Sequence, residues 1–471
     1  MSTTLYWDSL VRHEDTTLFM ARDSAGKFLA VHGKGEACDA LEGSVISLPG
    51  GPVKRCPLTN ANAAVVRRIF PFTRPVSRKG HPFTIGLGDR LGLASAGHIR
   101  LVRGMDVFPV LAQQSIRELN LTGRTYEDVL SAAGWAVFQE GYRAGYGADG
   151  DHLKTREEVQ MALDCGFTMI TLDCSEHIRN DFAALPASEL ESHYQALEPG
   201  LRTQLEGEYL NRSFPLDGGQ SISFSAADLR RIVLVYHDAI RYTIALYDEL
   251  LRGRDTDFEM SIDETLSTTS PEAHYFVARE LQKAGVELIS LAPRFCGEFQ
   301  KGSDYRGNLS EFEKEFAVHA TIAKTLGYKL SIHSGSDKFA VFPIIYRETG
   351  KMVHLKTAGT NWLEALRVVA AQEPGLFREI LAFALERLPE AKKYYHITEN
   401  TANIPDIGAL ADKDLPSLLD QDDARQVLHV TYGQILLDSS FKGPIFKTLE
   451  RYEDAYCVAL EKHIGRHISG A

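Results

Sequence analysis

The sequence predicts an α/β protein whose main part is a (β/α)8 TIM-like barrel. From about residue 84 onward, short apolar runs alternate with helical patterns, which is typical of βα units, and eight such runs can be counted. Eight strands with crossover helices favour a closed parallel barrel. A doubly wound sheet shares most of these local signals and is the alternative.

The barrel elements follow from local sequence chemistry. The strands are expected at residues 83–87, 107–112, 146–152, 167–173, 258–264, 287–293, 329–333 and 352–356. Several helices are marked by residues that cap their first turn: Thr125 with Asp128, Thr155 with Glu158, Ser270 before Pro271, and Ser310 with Glu313. The last three are expected to end at Gly166, Gly285 and Gly327.

Three regions surround or interrupt the predicted barrel, which spans residues 81–390. Residues 1–80 show short alternating runs broken by glycine and proline, which indicates a small β-rich N-terminal cap. An insertion at 175–256, after strand four, contains a long amphipathic helix over 226–251 that could form a lid or an oligomer face. After helices at 360–371 and 374–388, a C-terminal extension covers 391–471, and its residues 405–433 look less regular.

Composition excludes several classes of protein. With 51 basic and 63 acidic residues among 471, the net charge is −12, which argues against a general nucleic-acid or anionic-membrane surface. The N-terminus lacks a basic, apolar leader, and no apolar run has the roughly 18 residues of a membrane span, so we expect a cytoplasmic protein. The six cysteines are scattered, which favours reduced thiols.

Polar residues gather where the predicted strands end. The richest stretch is Ala-Asp-Gly-Asp-His-Leu-Lys-Thr at 148–155, between strand three and a helix. In a barrel this edge is the catalytic face, because the loops that follow the strands build the site there. The other strands end in Gly-Leu-Gly-Asp-Arg at 86–90, Gln-Gln-Ser at 113–115, Asp173, Asp-Glu-Thr at 263–265, Arg294, His-Ser-Gly-Ser-Asp-Lys at 333–338 and Lys-Thr at 356–357.

Two histidines at this edge are candidate metal ligands. His152 and His333 each end a strand inside a polar cluster, and neutral imidazoles with a carboxylate and water suit Zn, Mn, Ni or Co. His354 lies in mid-strand and is better explained as a satisfied core residue. For Asp173 and Asp263 a structural role at the barrel rim and a functional role both stay open.

Four motifs resemble those of the tagaturonate epimerase family. They are Gly-Leu-Gly-Asp-Arg-Leu-Gly-Leu at 86–93 with Gly-His-Ile at 97–99, Asp-Gly-Asp-His-Leu-Lys at 149–154, Ser-Ile-Asp-Glu-Thr at 261–265, and Ser-Ile-His-Ser-Gly-Ser-Asp-Lys at 331–338. Together they cover about residues 80–360. The family consists of metal-dependent barrel enzymes that interconvert tagaturonate and fructuronate in hexuronate catabolism.

The resemblance implies roles for individual residues. Asp151 would accept a proton, Glu264 would donate one, and His152 and His333 would bind a divalent metal, with Glu298 as our prediction for the third protein ligand. A sugar acid with a carboxylate and a ketone needs cations at one end and a Lewis acid at the other. The predicted substrate-binding residues are Arg90, Lys154, Gln300, Lys301, Lys338 and Lys356.

The resembled reaction also constrains the mechanism. The carbon that is inverted is β to the ketone, so simple enolisation cannot invert it, and we expect a retro-aldol route with rotation of the aldehyde fragment. A metal-dependent aldolase or ketose isomerase on a related sugar acid is the alternative enzyme. A non-catalytic sugar-binding barrel would explain the cations but not paired carboxylates beside two histidines. The sequence leaves open whether the chain forms a homo-oligomer.

Overall fold

The predicted barrel is confirmed. The computed structural model describes residues 3–48, 50–263 and 265–470. Eight parallel strands form a closed barrel in which spatial order follows chain order, so that barrel strand 1 pairs with barrel strands 2 and 8. Barrel strands 1 to 8 are Phe83–Gly86, Phe108–Ser115, Gly147–Leu153, Met169–Asp173, Asp257–Ile262, Ser290–Pro293, Lys329–Ile332 and Val353–Lys356.

Helices cover the outside of the barrel and make up most of the C-terminal region. Those before barrel strand 5 are Glu36–Ala40, Asn60–Ile69, Ser95–Val102, Ile116–Thr122, Tyr126–Gln139, Arg156–Cys165, Ala187–Gln195, Pro199–Tyr209 and Ala226–Leu250. The later ones are Pro271–Lys283, Leu309–Leu326, Phe342–Thr349, Ala358–Gln372, Pro374–Ala391, Asp422–Val430, Tyr432–Leu437, Ser439–Arg451 and Glu453–Ser469. Residues 412–437, within or next to the stretch expected to be less regular, form 3-10 and α-helix for most of their length.

The predicted helix starts are mostly confirmed. Thr125 and Thr155 form capping boxes with Asp128 and Glu158, and Ser270 caps the helix that begins at Pro271. The predicted Ser310–Glu313 box is wrong. Asn308 caps that helix instead, because its side chain accepts from the backbone N–H groups of Ser310 and Glu311 and so starts the helix at Leu309.

The N-terminal cap is a five-stranded antiparallel sheet. Its strands are Thr4–His13, Thr16–Asp23, Gly26–Gly33, Ser44–Leu48 and Gly51–Cys56, with the last two exchanged in spatial order. Glu453, the first residue of the last helix, ties this sheet to the C-terminus. It accepts from Tyr6 Oη at 2.6 Å and pairs with Lys27 Nζ at 2.6 Å and Arg22 Nη1 at 3.2 Å.

The insertion after barrel strand 4 folds as helices around a short hairpin. The hairpin strands are Ser213–Pro215 and Ser221–Ser223, and the long helix Ala226–Leu250 buries twelve of its residues, among them Leu229, Val233 and Leu246. It packs against the helix that follows barrel strand 5, so it belongs to the main hydrophobic core. Within the described part of the chain, no helix is both long and apolar enough to cross a membrane.

The upper part of the barrel interior is polar. Thr171 Oγ1 donates to Asp149 at 3.0 Å and to Glu259 at 3.3 Å, and it accepts from Lys356 Nζ at 2.6 Å. These residues come from barrel strands 3, 4, 5 and 8, so the contacts cross the barrel axis. Buried carboxylates in this position require a counter-charge, and Lys356 provides it.

Candidate active site

A large cavity of about 1080 Å³ lies at the carboxyl ends of the barrel strands. Residues at or just beyond the carboxyl ends of all eight barrel strands contribute to its wall, and Tyr394, Tyr395, His396 and His429 of the C-terminal region also line it. This is the face where barrel enzymes place their active sites. The cavity has two chemically different ends, one rich in carboxylates and histidines and the other rich in cations.

Two histidines and a carboxylate meet at the first end. The rings of His152 and His333 have centroids 4.6 Å apart, and His333 Nδ1 lies 3.3 Å from Asp263 Oδ1. One ligand atom of each of the three residues lies within 4.8 Å of the others, so a single cation could contact all three. Two imidazoles and one carboxylate are a donor set that suits Zn and its neighbours in the first transition row.

The local backbone explains how His152 and its neighbour share the cavity. Adjacent residues of a regular strand point to opposite faces. His152, however, has φ of 54°, and the pairing of barrel strands 3 and 4 shifts between Gly150 and Leu153. Because of this irregularity, both Asp151 and His152 line the cavity.

Buried carboxylates fix the orientation of both rings. His152 Nδ1 donates to Asp151 Oδ1 at 2.7 Å, and His333 Nε2 donates to Glu259 Oε1 at 2.7 Å. Each ring therefore keeps its other nitrogen as a possible ligand atom, and His333 Nδ1 is buried without a hydrogen-bond partner. A carboxylate behind each ligating histidine is how proteins orient such rings and raise their basicity.

Lys356 balances the carboxylates beneath the histidines. Its Nζ lies 2.6 Å from Asp151, 3.1 Å from Asp149 and 3.0 Å from Glu259, and all four side chains are buried. Burial alone would lower the pKa of Lys356, but the three carboxylates raise it well above its usual value. Lys356 is therefore a fixed cation and does not carry the low pKa of a Schiff-base lysine.

The same charges set the protonation of their neighbours. Burial raises the pKa of Asp149 to about 6 despite Lys356, with Asp151 and Glu259 adding to the rise. Burial alone would also raise the pKa of Asp151, but Lys356 and His152 hold it well below its usual value. Asp151 is thus the ionised carboxylate that faces the cavity. As the pH falls, Asp149 binds a proton before Asp151 does.

A second group of buried histidines and a carboxylate lies beside the cavity. Asp337, in the loop after barrel strand 7, pairs with His463 Nε2 at 2.5 Å and with Arg425 Nη2 at 2.6 Å. Its backbone N–H donates to His467 Nε2 at 2.9 Å, and Thr360 Oγ1 donates to its carboxylate at 2.8 Å. Arg425 and these hydrogen bonds already occupy the oxygen and nitrogen atoms that could bind a metal, so this group does not suit a cation. Its contacts instead tie the loop after barrel strand 7 to the last helix.

A family match and a sequence relative both cover nearly the whole chain and indicate the same family. Residues 6–470 match the tagaturonate epimerase family. The tagaturonate/fructuronate epimerase of Thermotoga maritima is 41% identical over an alignment of 472 positions that covers 98% of this chain and 96% of that protein. The chain belongs to the tagaturonate epimerase family. It is accordingly an isomerase that acts as a carbohydrate epimerase.

Solved structures of this epimerase family share the fold. A glycerol-complexed crystal structure of fructuronate–tagaturonate epimerase from Cohnella laeviribosi is 49% identical, with a TM-score of 0.96 over 99% of this chain and 96% of that one. The native crystal structure of the same protein is 48% identical, with a TM-score of 0.96 over 100% of this chain and 96% of that one.

The structure brings most of the predicted site residues of this epimerase to the cavity. Arg90, Asp151, His152, Lys154, Glu298, Gln300, Lys301, His333, Lys338 and Lys356 all line it. Glu264, the predicted proton donor, lies outside the described residues. The predicted third metal ligand, Glu298, also lines the cavity; it is exposed and accepts from Gln300 Nε2 at 2.5 Å, and the carboxylate beside His333 is that of Asp263.

Two predicted substrate contacts have their polar groups engaged elsewhere. Lys338 Nζ donates to the backbone oxygens of Gln300, Ser303 and Ser336 at 2.7–2.8 Å, which uses its three N–H bonds. Gln300 accepts through Oε1 from Thr398 and from another glutamine, and its Nε2 reaches Glu298. These hydrogen bonds hold both side chains in the wall of the cavity, and their contact with a substrate stays a prediction.

The remaining predicted cations differ in setting. Lys154 is 38% exposed and lies 3.0 Å from Ser175 Oγ and 3.6 Å from Asp173, at the rim of the cavity. Lys301 Nζ donates to Ser334 Oγ at 2.7 Å. Arg90 is buried and held by Glu118, with its Nε and Nη2 atoms 3.0 and 2.9 Å from the carboxylate.

Sequence reasoning missed Glu259 and the contribution of the C-terminal region. Glu259 is fully buried and orients His333. A signal for it was present, because Asp257, Glu259, Ser261 and Asp263 alternate along barrel strand 5 and therefore share its inward face. His429, which lines the cavity, and Arg425, which pairs with Asp337 beside it, both lie on the helix Asp422–Val430 and carry no comparable signal.

Proposed function

We propose that this chain interconverts tagaturonate and fructuronate in a metal-dependent reaction that breaks and re-forms a carbon–carbon bond. Membership of the family supports the epimerase activity, and the curated and crystallised relatives carry this substrate pair in their names. The observation that carries the metal and the mechanism is the group of His152, His333 and Asp263 at the carboxylate-rich end of the cavity.

The donor set fits a divalent cation such as Zn, Mn, Ni or Co. His333 Nδ1 is buried and faces Asp263 Oδ1 at 3.3 Å, and each ring donates its other N–H to a buried carboxylate. We therefore assign His152, His333 and Asp263 as the ligands and drop Glu298 from the set. A cation there would polarise the substrate ketone and stabilise the negative charge that develops on it.

The chain's own residues handle the proton. The inverted carbon, C4 of the ketose chain, is β to the ketone, so its C–H bond is not acidified by that carbonyl. Asp151 accepts the proton of the hydroxyl on this carbon, and Lys356 keeps Asp151 ionised for that task. Glu264 remains our prediction for the group that returns a proton on the opposite face.

Loss of that proton allows the bond between C3 and C4 to break. The electron pair of the bond moves to the ketone fragment as an enediolate, and the other fragment becomes an aldehyde that carries the carboxylate. Rotation of the aldehyde and re-addition on its other face give the epimer. Each proton transfer contributes on the order of 10²–10⁴ to the rate.

Isotope retention tests this mechanism directly. The purified, metal-loaded protein is brought to equilibrium with fructuronate in deuterium oxide, and the product is analysed by NMR and mass spectrometry. We expect tagaturonate in which C4 keeps its original hydrogen. Stoichiometric deuterium at C4 contradicts the retro-aldol route, accumulation of free three-carbon products identifies an aldolase, and no turnover of either sugar acid contradicts the epimerase itself.

A further inference from the structure

The cation-rich end of the cavity contains a histidine whose ring has no hydrogen-bond partner. His429, near the end of the helix Asp422–Val430, lines the cavity and is 1% exposed. Neither Nδ1 nor Nε2 has a partner among the described residues. Buried polar atoms are nearly always satisfied in native proteins, so an unpaired imidazole in a cavity wall indicates that a ligand completes it.

The backbone around His429 is shaped to receive its ring. A Cβ atom at Gly359, just after barrel strand 8, would lie 2.1 Å from His429 Nε2, so only glycine leaves room for the imidazole there. The helix itself is fixed by Trp362 Nε1, which donates to the backbone oxygen of Leu428 at 2.9 Å. The ring is therefore held in a defined place.

Arg90 offers a second unpaired donor at the same end of the cavity. Glu118, which also completes the capping box of the helix Ile116–Thr122, holds the Nε and Nη2 atoms of Arg90. The guanidinium lies over the ring of Tyr432, 3.7 Å from its centroid. Its remaining nitrogen, Nη1, is buried without a partner in the described structure. Two of the three guanidinium nitrogens are thus held by Glu118, and the third is left for a ligand.

The charges at the two ends of the cavity have opposite sign. Burial lowers the pKa of His429 well below its usual value, and the nearby cations Arg90, Lys301 and Arg425 lower it further. His429 is therefore neutral and can donate one N–H. In the described part of the chain, four carboxylates lie at the other end, Asp149, Asp151, Glu259 and Asp263, and Lys356 pairs with the first three of them. An anionic sugar has one favourable orientation between these ends.

We propose that Arg90 and His429 hold the carboxylate of the sugar acid, with Arg90 Nη1 and one N–H of the neutral imidazole as donors. This inference rests on the proposed function and names the subsite that orients its substrate. After the C3–C4 bond breaks, the aldehyde fragment is the one that carries this carboxylate. Its anchor keeps the fragment in the cavity while the aldehyde turns about the C4–C5 bond to present its other face.

Equilibrium binding of two fragment analogues tests the subsite without turnover. Glycerate, of both configurations, has the carboxylate and the adjacent hydroxyl of the aldehyde fragment, with an alcohol in place of the aldehyde, and glycerol is its uncharged counterpart. Both are titrated calorimetrically into Zn²⁺-loaded wild-type protein and into the variants Arg90→Met and His429→Phe. Arg117→Met is the matched control, because Arg117 lines the same cavity but is exposed and stacks on Tyr395.

We expect wild-type protein and Arg117→Met to bind glycerate at least about tenfold more tightly than glycerol. Arg90→Met and His429→Phe should each lose about tenfold or more in glycerate affinity and keep their glycerol affinity within about twofold. If His429→Phe fails to fold or to retain zinc, the smaller polar variant His429→Asn replaces it.

Three outcomes overturn the inference. Unchanged glycerate binding in both variants places the carboxylate at the metal end. An equal loss for glycerate and glycerol shows a merely structural role, and a loss in Arg117→Met alone assigns the carboxylate to the rim. Because binding is measured without catalysis, an intact charge preference in a protein that fails to epimerise would contradict the proposed function and leave this subsite standing.

Discussion

Among the described residues, two groups combine two histidines with a carboxylate, one partly exposed in the cavity and one buried beside it, and we infer that only the first suits a metal. In the cavity, His152, His333 and Asp263 present nitrogen and oxygen atoms to a shared point. Beside it, Asp337, His463 and His467 have the same residue types, yet Arg425, Thr360 and a backbone N–H already occupy their donor atoms. Residue types alone therefore do not define a metal site. Free lone pairs that face a common space do.

The largest effect is expected from removing a cavity histidine. His152→Ala or His333→Ala should lose bound metal and lower kcat by at least about 1,000-fold, since a Lewis acid contributes several kcal/mol. His463→Ala, from the other group, is the control and should keep its metal. Elemental analysis measures the bound metal and steady-state kinetics measures kcat. Full metal content in His152→Ala and His333→Ala would show that the cavity histidines are not the metal ligands.

Next in size is a loss of stability when the second group is broken. Asp337→Asn leaves Arg425 without its buried counter-charge and His463 without its carboxylate partner, which should cost about 3–5 kcal/mol of the free energy of unfolding. Urea denaturation of wild type and variant measures the difference. The metal stoichiometry of the folded variant should equal that of wild type, and a variant that lost metal while remaining fully stable would reverse the roles of the two groups.

A moderate effect is expected from the carboxylate behind a cavity histidine. Glu259→Gln keeps the shape but removes the charge that orients His333, so metal affinity should fall about 10–100-fold. Glu364→Gln is the matched change in the other group, where Glu364 lies 3.4 Å from His463. Competition with a fluorescent zinc chelator measures both affinities, and equal losses would mean that the effect is not transmitted through His333.

The smallest effect is expected at Glu298. Because this side chain is exposed and contacts Gln300 rather than a histidine, Glu298→Gln should change metal affinity by less than about threefold, or under 0.7 kcal/mol. The same chelator assay applies, with Asp263→Asn as the variant that should lose affinity strongly. A large loss at Glu298 would restore it as a ligand in place of Asp263.

The sequence was sufficient to predict the barrel because its signals are local. Capping boxes at Thr125 and Thr155, and glycines at helix ends, separate strands from helices without knowledge of tertiary contacts. The positions of His152 and His333 at the catalytic face follow from the barrel rule, since both end a strand. These are the parts of the site that depend on chain order alone.

The rest of the site depends on distances between residues far apart in the chain. Glu298 and Asp263 both follow strands, and only the folded barrel shows that Asp263 lies beside His333. Lys338 resembles a substrate contact in sequence, but its three backbone acceptors are fixed by loops that no local pattern predicts. His429 lies in a region without a motif, and the glycine that makes room for it is seventy residues earlier.

The last helix, Glu453–Ser469, joins the two ends of the chain to the active site. Its first residue binds the N-terminal sheet, and its last turns bind Asp337, four residues after His333. During synthesis the barrel strands leave the ribosome well before this helix does. Since this helix lies well beyond barrel strand 8 in the chain, the loop after barrel strand 7 acquires this anchor only after all eight strands have been made, so a nascent chain that already has them is not yet an assembled enzyme.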